Sequence, residues 1–125
     1  MHTPVQDRTN GGLIAADKVQ GTTVYNYAGE KLGSVESVMI DKQTGKVAYA
    51  ILSFGSGFLS LFDHYHPLPW SLMSYDRNKG GYVIALDKKT LEDAPSFKTG
   101  ERIDWEAPDF GRRVDEYYRA QSYWM

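Results

Sequence analysis

Asp63-His64-Tyr65-His66 is the one run in the sequence whose residue types and spacing invite bond-making chemistry. Histidines at i and i+2 of an extended strand point to the same face. Two imidazoles beside a carboxylate can hold a divalent metal. His64, His66 and Asp63 therefore form a candidate metal site. The simpler reading is that both histidines decorate an edge strand, because the chain has only three histidines and no remote further ligand stands out. No resident cofactor is expected.

Other chemistries fare worse. The chain has no cysteine, which excludes disulfides, thiol catalysis and cysteine-ligated zinc. Serines are plentiful, but no Gly-x-Ser-x-Gly elbow exists, and Gly55-Ser56-Gly57 is a tight hinge without that spacing. No phosphate loop or Gly-x-Gly-x-x-Gly fingerprint occurs. The acids Asp41, Asp63, Asp76, Asp87, Glu92 and Asp93 are scattered and suit turns and caps. An enzyme is not expected.

The elements that would position these residues fit one small domain. The chain has 125 residues, 42% of them hydrophobic and 14% aromatic, enough to build a packed core. Fourteen basic against sixteen acidic residues leave a net charge of −2, which argues against a direct nucleic-acid binder. The longest apolar run, around Val47 to Leu52, falls far short of the ~20 residues of a membrane-spanning helix. The first eight residues lack the basic-then-apolar order of a secretory signal, so a cytoplasmic location is expected.

Residues 1–17 read as a flexible arm with an apolar anchor at Leu13-Ile14, and regular structure is expected from near Lys18. Thr22 to Tyr25 is β-branched and aromatic, as strands are. Asn26 to Gly29 supplies a turn. Lys31 to Asp41 is a second strand whose apolar phase slips near Glu36-Ser37, the mark of a bulge. Asp41 to Gly45 is a hairpin turn. Lys46 to Phe54 is apolar on both faces and must be central. Tyr65 to Trp70 carries Pro67 and Pro69, which exclude a central strand and leave an edge strand or an extended segment. A helical turn at Ser71 to Met73, a polar loop at Asp76 to Gly81, a strand at Tyr82 to Leu86 and one or two helical turns at Asp87 to Ala94 follow.

Two stretches carry more apolar surface than loops or tails need. Gly55 to Phe62 holds Phe58, Leu59, Leu61 and Phe62, which form either a lid on the core or a contact patch. The C-terminal stretch is the strongest helix candidate. Asp109 can cap it, Phe110, Val114, Tyr117 and Gln121 fall at helical spacing, and Tyr117, Tyr118, Tyr123 and Trp124 make it unusually aromatic. It is expected to dock, on its own barrel or on a second copy.

The ordered set Gly21 to Val35, Met39-Ile40-Asp41, Thr44-Gly45-Lys46-Val47, Tyr49 to Leu52 and His66-Pro67-Leu68-Pro69-Trp70-Ser71-Leu72 resembles the PRC-barrel domain family over roughly residues 18–97. The family includes the cytoplasmic barrel of the photosynthetic reaction centre H subunit and the C-terminal barrel of the ribosome-maturation factor RimM. The resemblance implies a stand-alone bacterial member: an all-β, strongly bent barrel of five to six strands, with a C-terminal extension at 98–125 bearing a short helix. It implies a non-catalytic docking module, expected to be a homodimer. The contact residues would be Phe58, Leu59, Leu61, Phe62, Pro67, Pro69, Trp70, Tyr117, Tyr118, Tyr123 and Trp124. Its partner would be a protein, in a membrane or ribosomal assembly. A small-ligand or metal-binding barrel using His64 and His66, and a ribosome-assembly role, are the alternatives. Neither a membrane helix like that of the H subunit nor a preceding β domain like that of the ribosome factor is expected, so neither partner is expected to transfer directly.

Overall fold

The computed structural model describes residues 12–54, 64–98 and 110–119. It is built from α1 (Ala16–Val19), β1 (Thr23–Asn26), β2 (Lys31–Ile40), β3 (Val47–Phe54), β4 (His64–Pro69), β5 (Ser74–Asp76), β6 (Gly81–Ile84), α2 (Lys88–Glu92), β7 (Phe97–Lys98) and α3 (Phe110–Tyr118). A 3-10 turn at Trp70–Leu72 links β4 to β5.

The strands form one sheet in the order β5-β6-β1-β2-β3-β4-β7. Every neighbouring pair is antiparallel except β1 and β6, which run parallel with Val24 opposite Tyr82. The sheet curls around one core that gathers Val24, Leu32, Leu52, Leu68, Ile84 and Leu91 from five strands and α2. Fully burying each such side chain contributes about 1.5–3 kcal/mol. The end strands β5 and β7 do not pair, so the barrel stays open. Among the described residues the sheet has seven strands rather than the expected five or six, and the extra ones, β5 with three residues and β7 with two, are too short to show a period in the sequence.

The turns form where their side chains hold them. Asp41 Oδ1 accepts the backbone N–H groups of Gln43 and Thr44, each at 2.9 Å, and Gly45 closes that turn at φ +75°. The β5–β6 turn repeats the device: Asp76 Oδ1 accepts from Asn78 and Lys79, and Gly80 has φ +68°. Asp87 caps α2 by accepting from Thr90 N at 2.8 Å. Between β2 and β3 the register slips between Val35 and Ser37, so the expected bulge is present.

The bend of β2 has a steric condition. A Cβ on Gly33 would lie 2.0 Å from the Ser53 carbonyl oxygen and 2.8 Å from Phe54 Cα. Only glycine lets β2 and β3 approach this closely. Within the arm, Ile14 packs against the core, Leu13 is exposed, and α1 already begins at Ala16. Residues 1–11 lie outside the described residues. Among the described residues no helix is long and apolar enough to cross a membrane.

Gly33→Ala should destabilise the protein by about 3 kcal/mol, the upper end of overpacking costs, because the obstacle is backbone. A fall in the urea midpoint, with the m-value unchanged, would register it.

Backbone N–H groups hold the Asp41 carboxyl below its ordinary value of 3.8, and Thr90 does the same for Asp87, through its side chain first and its N–H second. A carboxylate depressed in the folded state contributes stability that is complete above pH 3.8 and is lost as pH falls below it. The double variant Asp41→Asn, Asp87→Asn, which keeps both acceptor oxygens, should therefore lose less Tm than the parent between pH 5 and pH 2.5. Differential scanning calorimetry across that range is the check.

Candidate interaction surfaces

α3 docks on its own barrel. Its inward face is Phe110, Val114 and Tyr118, with Gly111 and Asp115 beside them, and Val114 and Asp115 are buried. This corrects the expected Phe110-Val114-Tyr117 stripe. Contact with the strongly curved β3–β4 surface selects the i, i+4, i+8 row, which leaves Tyr117 half-exposed. The seam is polar at its centre. The Tyr49 hydroxyl lies 3.1 Å from Asp115 Oδ1 and 3.2 Å from the Gly111 carbonyl oxygen, and shares its one proton between them. Gly111 permits this, since a Cβ there would sit 3.1 Å from that hydroxyl. Tyr117 donates to the Thr90 carbonyl and so ties α3 to α2. The Tyr118 hydroxyl is buried with no hydrogen-bond partner among the described residues, and burial raises its pKa well above the usual 10.0. Tyr123 and Trp124 lie outside the described residues.

β4 places the remaining predicted residues. Its start at His64 and Tyr65 pairs with β7, and from His66 to Pro69 it pairs with β3. A strand paired on one side can lack alternate N–H donors. Pro67 and Pro69 are buried, on a strand that α3 contacts. Trp70 is half-buried and packs edge-on against Tyr82, with ring centroids 5.3 Å apart. Phe58, Leu59, Leu61 and Phe62 lie outside the described residues.

The two histidines part company. His66 is only 2% exposed and packs edge-on against Phe54 at 5.0 Å, as a core ring would. His64 is half-exposed, 6.5 Å from it centroid to centroid. Asp63 lies outside the described residues, and among the described residues no group of three histidines or acids is placed to hold a metal.

The surface that sequence reasoning missed lies at the other end of the sheet. A cleft of about 460 Å³ opens between the β1–β2 turn and the β5–β6 hairpin, lined by Asn26, Tyr27, Tyr75, Asp76, Arg77 and Lys79 among others. Tyr27 is 74% exposed and Tyr75 is 44% exposed. Tyr75 packs edge-on against Tyr82, so an aromatic row runs from Trp70 through Tyr82 to the cleft. The Lys79 ammonium stands 5.2 Å above the Tyr25 ring. One signal was available: a tight turn has no structural need for Tyr27. What the sequence did not show is that the parallel β1–β6 pairing brings that turn to the 76–81 loop.

Residues 11–91 match the model of the PRC-barrel domain family. An uncharacterized protein of Deinococcus radiodurans is similar to the chain, at 23% identity over 109 residues; the match covers 82% of this chain and 38% of that protein. The chain thus spans less than half the length of the relative it matches.

Two tyrosine variants test the α3 seam. Tyr49→Phe removes the hydroxyl facing a buried carboxylate and should cost about 2 kcal/mol. Tyr118→Phe removes a hydroxyl without a partner and should leave stability at pH 7 unchanged or higher. A tyrosine whose folded pKa is raised contributes stability that is present below pH 10 and lost above it. Tyr118→Phe should therefore also flatten the alkaline fall in stability above pH 10. Denaturant titrations at pH 7 and pH 11 read both effects.

Proposed function

The chain belongs to the PRC-barrel family, and on that premise we propose that it is a non-catalytic protein-interaction module of the adaptor or assembly type, acting in the cytoplasm as a homodimer. The observation that carries the reading is the exposed tyrosine-and-arginine surface at Tyr27, Tyr75 and Arg77. Tyrosine and arginine are the residues that interfaces concentrate and that ordinary surfaces do not.

The homodimer has separate support. A domain of this size buries limited area alone, and association adds to it. The sequence also spends four large apolar residues on Phe58-Leu59-Ser60-Leu61-Phe62 and two more aromatics on Tyr123-Trp124. The dimer would use these segments, which leaves the tyrosine cleft for a different protein.

Light scattering coupled to size exclusion tests the dimer. The parent protein should elute with twice its 14.1 kDa chain mass. Leu61→Glu should elute as a monomer with an unchanged circular-dichroism spectrum. A parent that is monomeric at 100 μM refutes the dimer. Affinity capture from the native cells tests the adaptor role, and recovery of no stoichiometric partner refutes it.

A further inference from the structure

The tyrosine cleft sorts its polar groups in one direction. Part of its acceptor capacity is taken by the protein itself: Asp76 Oδ1 takes the N–H groups of Asn78 and Lys79, and the Asp76 carbonyl takes that of Gly80 at 2.8 Å. At the facing turn, Asn26 Oδ1 takes Glu30 N–H, and Glu30 Oε1 takes the Asn26 amide, both at 2.9 Å. The cations are not so occupied. Arg77 makes no hydrogen bond or ion pair among the described residues, and Lys79 rests only on the Tyr25 ring. The charged side chains lining the cleft are Asp76 against Arg77 and Lys79, with Glu30 tied to Asn26 at the facing turn, on a chain whose net charge is −2.

Resting on the interaction-module reading, we infer that this cleft receives an extended acidic segment of the partner protein. Its carboxylates meet Arg77 and Lys79, and an apolar side chain lies against Tyr27 and Tyr75. Arginine presents a fork that matches a carboxylate, and tyrosine rings give contact area at low entropic cost. β5 is the terminal strand of the sheet, so the flank of the cleft is an edge to which an extended segment can add. A free inorganic anion fits less well: the loop N–H groups that would cradle it are already given to Asp76, and the two rings would have no role. A nucleic acid fits less well again, since its affinity grows with the number of phosphates neutralised and the lining offers a surplus of one charge.

The test is a nitrogen-15 amide titration of the full chain with the acetylated, amidated peptide Glu-Glu-Phe-Glu-Glu. Controls are Lys-Lys-Phe-Lys-Lys, inorganic phosphate and a short single-stranded RNA. Shifts should concentrate in residues 26–30 and 74–83. Arg77→Glu should weaken binding at least about tenfold. Arg77→Gln should weaken it less, and salt should weaken the parent more than it weakens Arg77→Glu. Tyr27→Ala should weaken binding several-fold with the salt dependence unchanged. Four results would each overturn the inference: no shift, shifts confined elsewhere, equal binding of the lysine peptide, or displacement of the acidic peptide by phosphate or RNA at the same residues. Partner capture that survives Arg77→Glu also refutes the cleft while leaving the module reading intact. Peptide binding by a protein that captures no partner refutes the module reading and not the cleft.

Discussion

A β-strand with large apolar side chains on both faces cannot leave either face to water, and β3 places that demand at the centre of the sheet. Ala50, Leu52 and Phe54 are buried in the curl of the barrel, while Tyr49 lies against Val114 of α3. β2 and β4 complete its hydrogen bonds on either side. The curl and the helix are therefore two answers to one requirement. Each would leave buried apolar surface exposed without the other.

The helix illustrates how such a cover is held. Nine residues are too few to be helical alone in water, so α3 exists as a docked element. Burial of Val114 supplies the apolar part of that docking, and Tyr49 with Asp115 fixes its orientation. A polar pair at the centre of a seam specifies position better than it adds stability. The price of that precision is a carboxylate placed where water cannot reach it.

Local chemistry was legible in the sequence, and long-range geometry was not. The Asp41–Gly45 turn, the bulge beside Glu36, the double-faced β3 and the Asp87 cap each follow from residues a few positions apart, and each is present. The proline-bearing strand was placed correctly at a partly unpaired position. Its burial was not foreseen, because proline is read as a surface residue until the helix that contacts its strand is known. The face of α3 was misjudged by one position, since a nine-residue helix offers two apolar rows and only packing against a curved sheet selects one. The cleft was missed for the same reason: Tyr27 and Arg77 lie fifty residues apart in sequence, and no local pattern joins them.

The parallel β1–β6 pairing has a consequence for how the chain reaches this state. Joining Val24 to Tyr82 closes a loop of nearly sixty residues, whereas β2 and β3 close across a short turn. On chain-entropy grounds the long closure is about 2 kcal/mol harder to make than the hairpin, since the cost rises with the logarithm of loop length. Chain entropy alone thus ranks the hairpins ahead of the β1–β6 seam. Until that seam forms, two strand edges stand open side by side. An edge that waits for its own chain will also accept the same edge from a neighbour, so crowded folding favours exchanged pairs whose seams are made between molecules.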